Sequence, residues 1–206
     1  MLKSTTKSLT EGRIILASSS PRRREILQNL GIKVEIIPST FDENLNRSNY
    51  KCHGDYVVDL ATHKVQEVYD KLKEINDSKT TLIVGADTIV TQGDLIYGKP
   101  KDKNDAIEML SSFNGKKLIV FTGVCLKTPK KEVKFWDSTE VKFGNISEDQ
   151  IRAYVDTEEP LDKAGGFGVQ GVGGCLVEKI NGDFYTVVGL PLYSTIKHLN
   201  ELFAEA

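Results

Sequence analysis

The chain has 206 residues, of which 39 % are hydrophobic and 27 % charged, and its 27 basic and 29 acidic side chains leave a formal charge of −2. That balance argues against a protein that coats nucleic acid by bulk charge. A chain this long buries roughly 70 % of its unfolded surface, so it needs no disulfide or metal to fold. Cys52, Cys125 and Cys175 are too scattered for a disulfide framework or a zinc site, which makes a reducing interior the expected compartment.

Residues 1–12 are polar, lack the apolar core of a signal peptide, and are expected to form a flexible tail ahead of a single domain over 13–206. No run approaches the ~18 apolar residues of a membrane span, so the expected location is cytoplasmic. Residues 13–17 form a short apolar run, a buried strand. Ser20-Pro21 reads as the cap and first residue of a helix that runs to about Leu30 and stops at Gly31. Residues 32–37 alternate like a second strand, and 40–55 read as a loop. Val57, Leu60, Ala61, Lys64, Val65, Val68 and Leu72 recur at helical spacing. Residues 81–84 read as a strand that resumes at Ile89-Val90, after Asp87.

Asp102 caps a helix through Met109 and Leu110 that closes at Asn114-Gly115. Residues 117–126 and 133–143 form a hairpin around Thr128-Pro129-Lys130, and Ser147 with Gln150 makes a capping box. Residues 175–180 and 184–188 flank Asn181-Gly182, which predicts a second hairpin. Pro191 opens a last helix to Phe203. Strands and helices alternate early and hairpins come late, so the fold class is α/β with a mixed sheet.

Four segments carry candidate chemistry. Ser18-Ser19-Ser20-Pro21-Arg22-Arg23-Arg24 places three arginines where the helix dipole disfavours cations. Either an anion sits there, held by N–H groups, hydroxyls and guanidinium forks, or the segment is a solvated basic patch. Asp87, in Gly85-Ala86-Asp87-Thr88 after a buried strand, could hold a divalent ion, act as a base, or bond only its own turn. Lys99, pinned between Gly98 and Pro100, either aims an ammonium at phosphate or is an ordinary surface lysine. Residues 165–174 hold six of the 17 glycines. Gly166, Gly168 and Gly171 satisfy G-x-G-x-x-G, but no strand precedes them and no helix follows, which excludes a dinucleotide fingerprint. What remains is a loop whose backbone donors reach a ligand, with Gln170 suited to a base edge, or a turn that merely needs positive φ. Glu43 and Lys64 are isolated charges. His53, His63 and His198 read as structural or surface residues. Cys125, Cys175, Phe135 and Trp136 read as packing.

Together these motifs resemble the Maf family of nucleoside triphosphate pyrophosphatases. The resemblance rests on Leu16-Ala17-Ser18-Ser19-Ser20-Pro21-Arg22-Arg23, Ala86-Asp87-Thr88-Ile89-Val90, Gly98-Lys99-Pro100, Glu159-Pro160-Leu161-Asp162-Lys163-Ala164-Gly165, Gly168-Val169-Gln170-Gly171 and Val188-Gly189-Leu190-Pro191. It implies a mixed twisted sheet flanked by helices, with two lobes and a cleft, related to inosine triphosphate pyrophosphatases. It implies hydrolysis of a nucleoside triphosphate to monophosphate and pyrophosphate with Mg²⁺ or Mn²⁺, a housekeeping role on damaged nucleotides, and a homodimer. It assigns Asp87, Glu43 and Lys99 to catalysis, and Asp87 and Glu43 to the metal. Ser18, Ser20, Arg22, Arg23, Lys64, Thr88 and Gln170 are assigned to substrate. Arg23, Thr88 and Gln170 resemble the branch acting on dTTP and UTP, whereas the 7-methyl-GTP branch typically has other residues there, including Glu for Gln. Ser19 stands where glycine or alanine is common. Two other classes stand beside this reading. One is a non-catalytic nucleotide sensor. The other is a single-stranded nucleic-acid binder, which would need basic residues interleaved with aromatics that the chain lacks.

Overall fold

The computed structural model describes residues 9, 12–75 and 79–204, so the expected tail lies outside the described residues except for Leu9, which is buried, and Gly12. The chain divides into two compact units, one of Met1–Asp87, Thr122–Asp137 and Gly189–Ala206, the other of Thr88–Phe121 and Ser138–Val188. The sheet has seven strands, and three of them contribute residues to both units.

In the first unit, β1 (Arg13–Leu16) is a near-continuous apolar run whose successive residues 14–16 are all buried, as in a strand covered on both faces. It runs parallel to β2 (Val34–Ile36), with Ile15 opposite Glu35, and parallel to β3 (Thr80–Gln92), with Ile15 opposite Ile83. Between β1 and β2 lies α1 (Pro21–Asn29), capped by Ser20 and followed by Gly31 at φ 78°, as expected. Helix α2 (His53–Glu74) lays Ala61, Val65, Val68 and Leu72 against Ile15, Ala17, Ile83 and Cys125. Two glycines permit that close approach. A Cβ on Gly85 would lie 2.3 Å from the Val65 side chain, and one on Gly123 would lie 2.4 Å from the Val57 backbone. Gly85 is therefore not a turn. Strand β3 is unbroken from Thr80 to Gln92, and Asp87 sits within it rather than after its end. Burial pushes the Cys125 thiol up to about 12, so this cysteine behaves as an apolar core residue. The Trp136 indole fills the space above Gly54, where a Cβ would lie 2.2 Å away, yet it remains 39 % exposed.

In the second unit, β3 turns at Gly93 into the antiparallel β4 (Leu95–Tyr97). Asp102 caps α3 (Lys103–Phe113), and the hairpin of β5 (Lys117–Lys127) and β6 (Glu132–Phe143) is the expected one. Ser147 and Gln150 form the predicted capping box on α4 (Glu148–Asp156). The core gathers Phe113, Leu118, Phe143, Tyr154 and Phe167, with Phe143 edge-to-face to Phe167 at 4.9 Å and to Phe113 at 5.5 Å. β7 (Val177–Asn181) pairs antiparallel with β6. The predicted hairpin partner, residues 184–188, is instead the short helix α5 (Phe184–Val188). The Asp183 carboxylate accepts from the Thr186 N–H at 2.6 Å and hydroxyl at 2.8 Å, which starts a helix where a strand was expected. Cys175 also departs from expectation, being exposed in a 3₁₀ turn before β7. In the first unit, α6 (Leu192–Ala204) closes the described chain after Pro191. Among the described residues no helix is long and apolar enough to cross a membrane.

Candidate active site

Side chains alternate along a strand, so Ile83, Gly85 and Asp87 share the face of β3 that meets α2. Lys64 precedes Val65, the residue packed over Gly85, and this register brings its ammonium to Asp87. Lys64 Nζ donates to Asp87 Oδ1 at 2.6 Å and lies 2.6 Å from Glu43 Oε1. The side chains of Lys64 and Asp87 are 13 % and 10 % exposed, whereas that of Glu43 is 56 % exposed. One ammonium thus bridges two carboxylates, with a formal charge of −1 for the three groups.

Glu43 reaches Lys64 because the loop before it is tied to α2. Glu67 on α2 accepts from the Ser39 hydroxyl, from the Thr40 N–H at 2.9 Å and from the Thr40 hydroxyl at 2.6 Å. The Phe41 ring then stacks on His63 at 4.6 Å. Residues 63, 64, 67 and 71 lie along one helix face, so the loop is laid down in register with it. Burial alone would raise the Glu67 carboxyl, but the hydrogen bonds from Lys71, Ser39 and Thr40 outweigh it and bring its pKa to about 2.

The Arg23 guanidinium is anchored at two points, donating from Nε to the Gly189 carbonyl at 2.8 Å and from Nη1 to Ser18 Oγ at 3.0 Å. Burial lowers its pKa, the charge of Asp87 opposes that, Arg22 adds repulsion, and Glu43 opposes again. Arg23 therefore shares the electrostatic surroundings of Asp87, Glu43 and Arg22. Ser20 caps α1 by accepting from the Arg23 N–H, and its own N–H donates to Ser18 Oγ at 3.2 Å. Tyr56, which the sequence reading did not single out, is raised by burial and then by the charges of Asp87 and Glu43. It stands at the N-terminal end of α2, where periodicity marks only a helix.

Thr88, Lys99 and Gln170 belong to the second unit. Thr88 is half-buried on β3, and Lys99 and Gln170 are exposed. The Lys99 turn is tied to the glycine-rich segment, since the Gly165 N–H donates to the Gly98 carbonyl at 2.9 Å. A Cβ on Gly166 would press on Pro100 at 3.1 Å. The backbone donors of Gly168, Val172 and Gly173 do not point outward as expected for a ligand loop, being committed to Tyr154 and Glu159.

The cluster in the first unit can neutralise an anion and present a carboxylate to a water. Among the described residues no group of three or more His, Cys, Asp or Glu side chains is placed to hold a metal ion. Glu43 and Asp87 are the two carboxylates that share Lys64. The chain matches the family model described as Maf-like protein over residues 13–202. It is 41 % identical over 189 residues to the dTTP/UTP pyrophosphatase of Bacillus cytotoxicus, covering 92 % of this chain and 95 % of that one. It is 44 % identical over 183 residues to the dTTP/UTP pyrophosphatase of Caldicellulosiruptor bescii, covering 88 % and 90 %. It is 42 % identical over 203 residues to a human protein named probable bifunctional dTTP/UTP pyrophosphatase/methyltransferase, covering 95 % of this chain but only 33 % of that protein.

Proposed function

This chain belongs to the Maf family, and from that membership we propose that it hydrolyses dTTP and UTP to the nucleoside monophosphate and pyrophosphate. The observation that carries the reading is the Lys64 ammonium held 2.6 Å from both Asp87 and Glu43, in the electrostatic company of Arg23. Arg22, Arg23, Lys64 and Lys99 neutralise the triphosphate. A water oxygen bonds to the α-phosphorus, the bond from that phosphorus to the bridging oxygen breaks, and pyrophosphate leaves with the electron pair. The water proton passes to Asp87, to which Lys64 donates at 2.6 Å. Charge stabilisation and positioning supply most of the rate. Ser18 holds Arg23 in place, and Thr88 and Gln170 read the pyrimidine edge.

The donor set of two carboxylates is made of hard oxygens, the chemistry that suits Mg²⁺ or Mn²⁺. Asp87 and Glu43 would hold the ion, which when bound supplies charge neutralisation and a more acidic water. The test is pyrophosphate release from dTTP, UTP, CTP, 7-methyl-GTP and ITP, with and without Mg²⁺. Release from dTTP and UTP above the others is expected. Binding of UTP without release would establish a nucleotide sensor instead, and preference for 7-methyl-GTP would overturn the base assignment.

A further inference from the structure

Glu159 opens the 3₁₀ turn Glu159–Asp162 of the second unit and lies beneath the glycine-rich loop. Its Oε2 accepts from the Val172 N–H at 2.9 Å, and its Oε1 accepts from the Gly173 N–H at 3.2 Å and the Tyr154 hydroxyl at 3.1 Å. The same hydroxyl accepts from the Gly168 N–H at 3.2 Å. Backbone donors on both sides of Gln170 therefore run to one carboxylate–phenol pair. The glycines fit these two groups. A Cβ on Gly171 would lie 2.5 Å from Glu159 Oε2, and one on Gly173 would lie 2.4 Å from the Tyr154 oxygen. A Cβ on Gly168 would lie 2.5 Å from the Lys163 side chain, whose ammonium donates to the Glu159 carbonyl at 2.6 Å. Burial and the adjacent Glu159 charge push the Tyr154 phenol far above its ordinary range, so it stays a neutral donor.

We infer that Glu159, with Tyr154, is a positioning residue for base selectivity: the carboxylate locks residues 168–173 in one conformation and so sets where the Gln170 amide is presented. An amide discriminates uracil from cytosine only if its donor and acceptor are held in place, because the two bases exchange a carbonyl for an amino group on that edge. A loop of six glycines in ten residues has little stiffness of its own, and the order must come from what it is bonded to. The inference rests on the reading of Gln170 as the base-recognising side chain.

The test uses the full chain and measures kcat and KM for UTP and CTP in Glu159→Gln, Tyr154→Phe, Gln170→Ala and the double variant Glu159→Gln/Gln170→Ala. Glu159→Gln keeps the shape but turns one acceptor into a donor facing an N–H. It is expected to lower the UTP-to-CTP preference about tenfold or more, chiefly through KM, and to add little to the effect of Gln170→Ala. Tyr154→Phe is expected to act in the same direction and decides the matter if Glu159→Gln does not fold. Equal losses on both substrates, or an unchanged preference where Gln170→Ala lowers it, would overturn the inference while leaving the activity standing. An unchanged preference in Gln170→Ala would instead remove the base-reading role of Gln170, and the inference with it.

Discussion

Asp87 and Lys64 are bonded at 2.6 Å and mostly buried, so neither can be replaced without consequence for the other. Asp87→Asn keeps the volume and the hydrogen bond but removes the charge that opposes both Lys64 and Arg23. It is expected to lower kcat by ~10²-fold or more, the range of a positioned proton acceptor, with an unchanged circular dichroism spectrum. Near-normal pyrophosphate release by this variant would sink the mechanism. As for what could be read from the chain alone, Asp87 was a candidate by its place after a buried strand, though the strand in fact continues through it. Lys64 and Glu43 were isolated charges with no local signal. They meet Asp87 only because α2 crosses β3, Lys64 and Asp87 being 23 positions apart in the chain. The family resemblance assigned Lys64 and Glu43 to the site, outside its quoted motifs, and spacing could not. Gly189, whose carbonyl accepts from Arg23, lies in a quoted motif that gave no hint of this contact, and Tyr56 carries no signature in the sequence.

Helix α2 is the element that brings the cluster together, and two contacts decide its placement. On its sheet side, Gly123 leaves no space, since a Cβ would lie 2.4 Å from the Val57 and Val58 backbone, which cannot swing aside as a side chain can. Gly123→Ala is expected to cost about 2 kcal/mol or more by overpacking, and a urea midpoint unchanged from the parent would refute the close approach. On its other side, Glu67 ties down residues 39–40, and its pKa of about 2 is depressed from the ordinary 4.5. A depressed carboxyl stabilises the fold fully above its unfolded pKa and loses that contribution as pH falls through the folded one. Glu67→Gln should therefore destabilise the chain at pH 7, and the difference should shrink from about pH 4.5 to vanish near pH 2. Parallel urea titrations of both proteins across that range would show it. The elements whose signals are local were legible: Ser20, Asp102 and the Ser147–Gln150 box cap the helices that they predicted. Asn181-Gly182 misled because Asp183, the next residue, captures the Thr186 N–H and begins α5. Gly85 had no reading of its own in the sequence, because the helix that demands a glycine there is brought to it only by the fold.

For the molecule as a whole, a net charge of −2 conceals how the cations are used. Many of the exposed ones are paired on the surface: Arg13 with Glu35, Lys117 with Glu140, Lys142 with Glu178 and Arg152 with Glu148. Such pairs add little stability, but each sets an acidic group beside a basic one. Arg23 is placed differently, sharing the surroundings of Asp87, Glu43 and Arg22. A compact triphosphate brings its whole charge to that one place, whereas an oligonucleotide spreads the same charge along its length. The KM for UTP is therefore expected to rise several-fold between about 0.1 M and 0.5 M salt, as the screening length falls below about 10 Å. Over the same range a single-stranded oligonucleotide should neither shift on a gel with the protein nor inhibit pyrophosphate release. Competitive inhibition by the oligonucleotide at low salt would show that the cations around Arg23 accept an extended polyanion, and would return the nucleic-acid reading to contention.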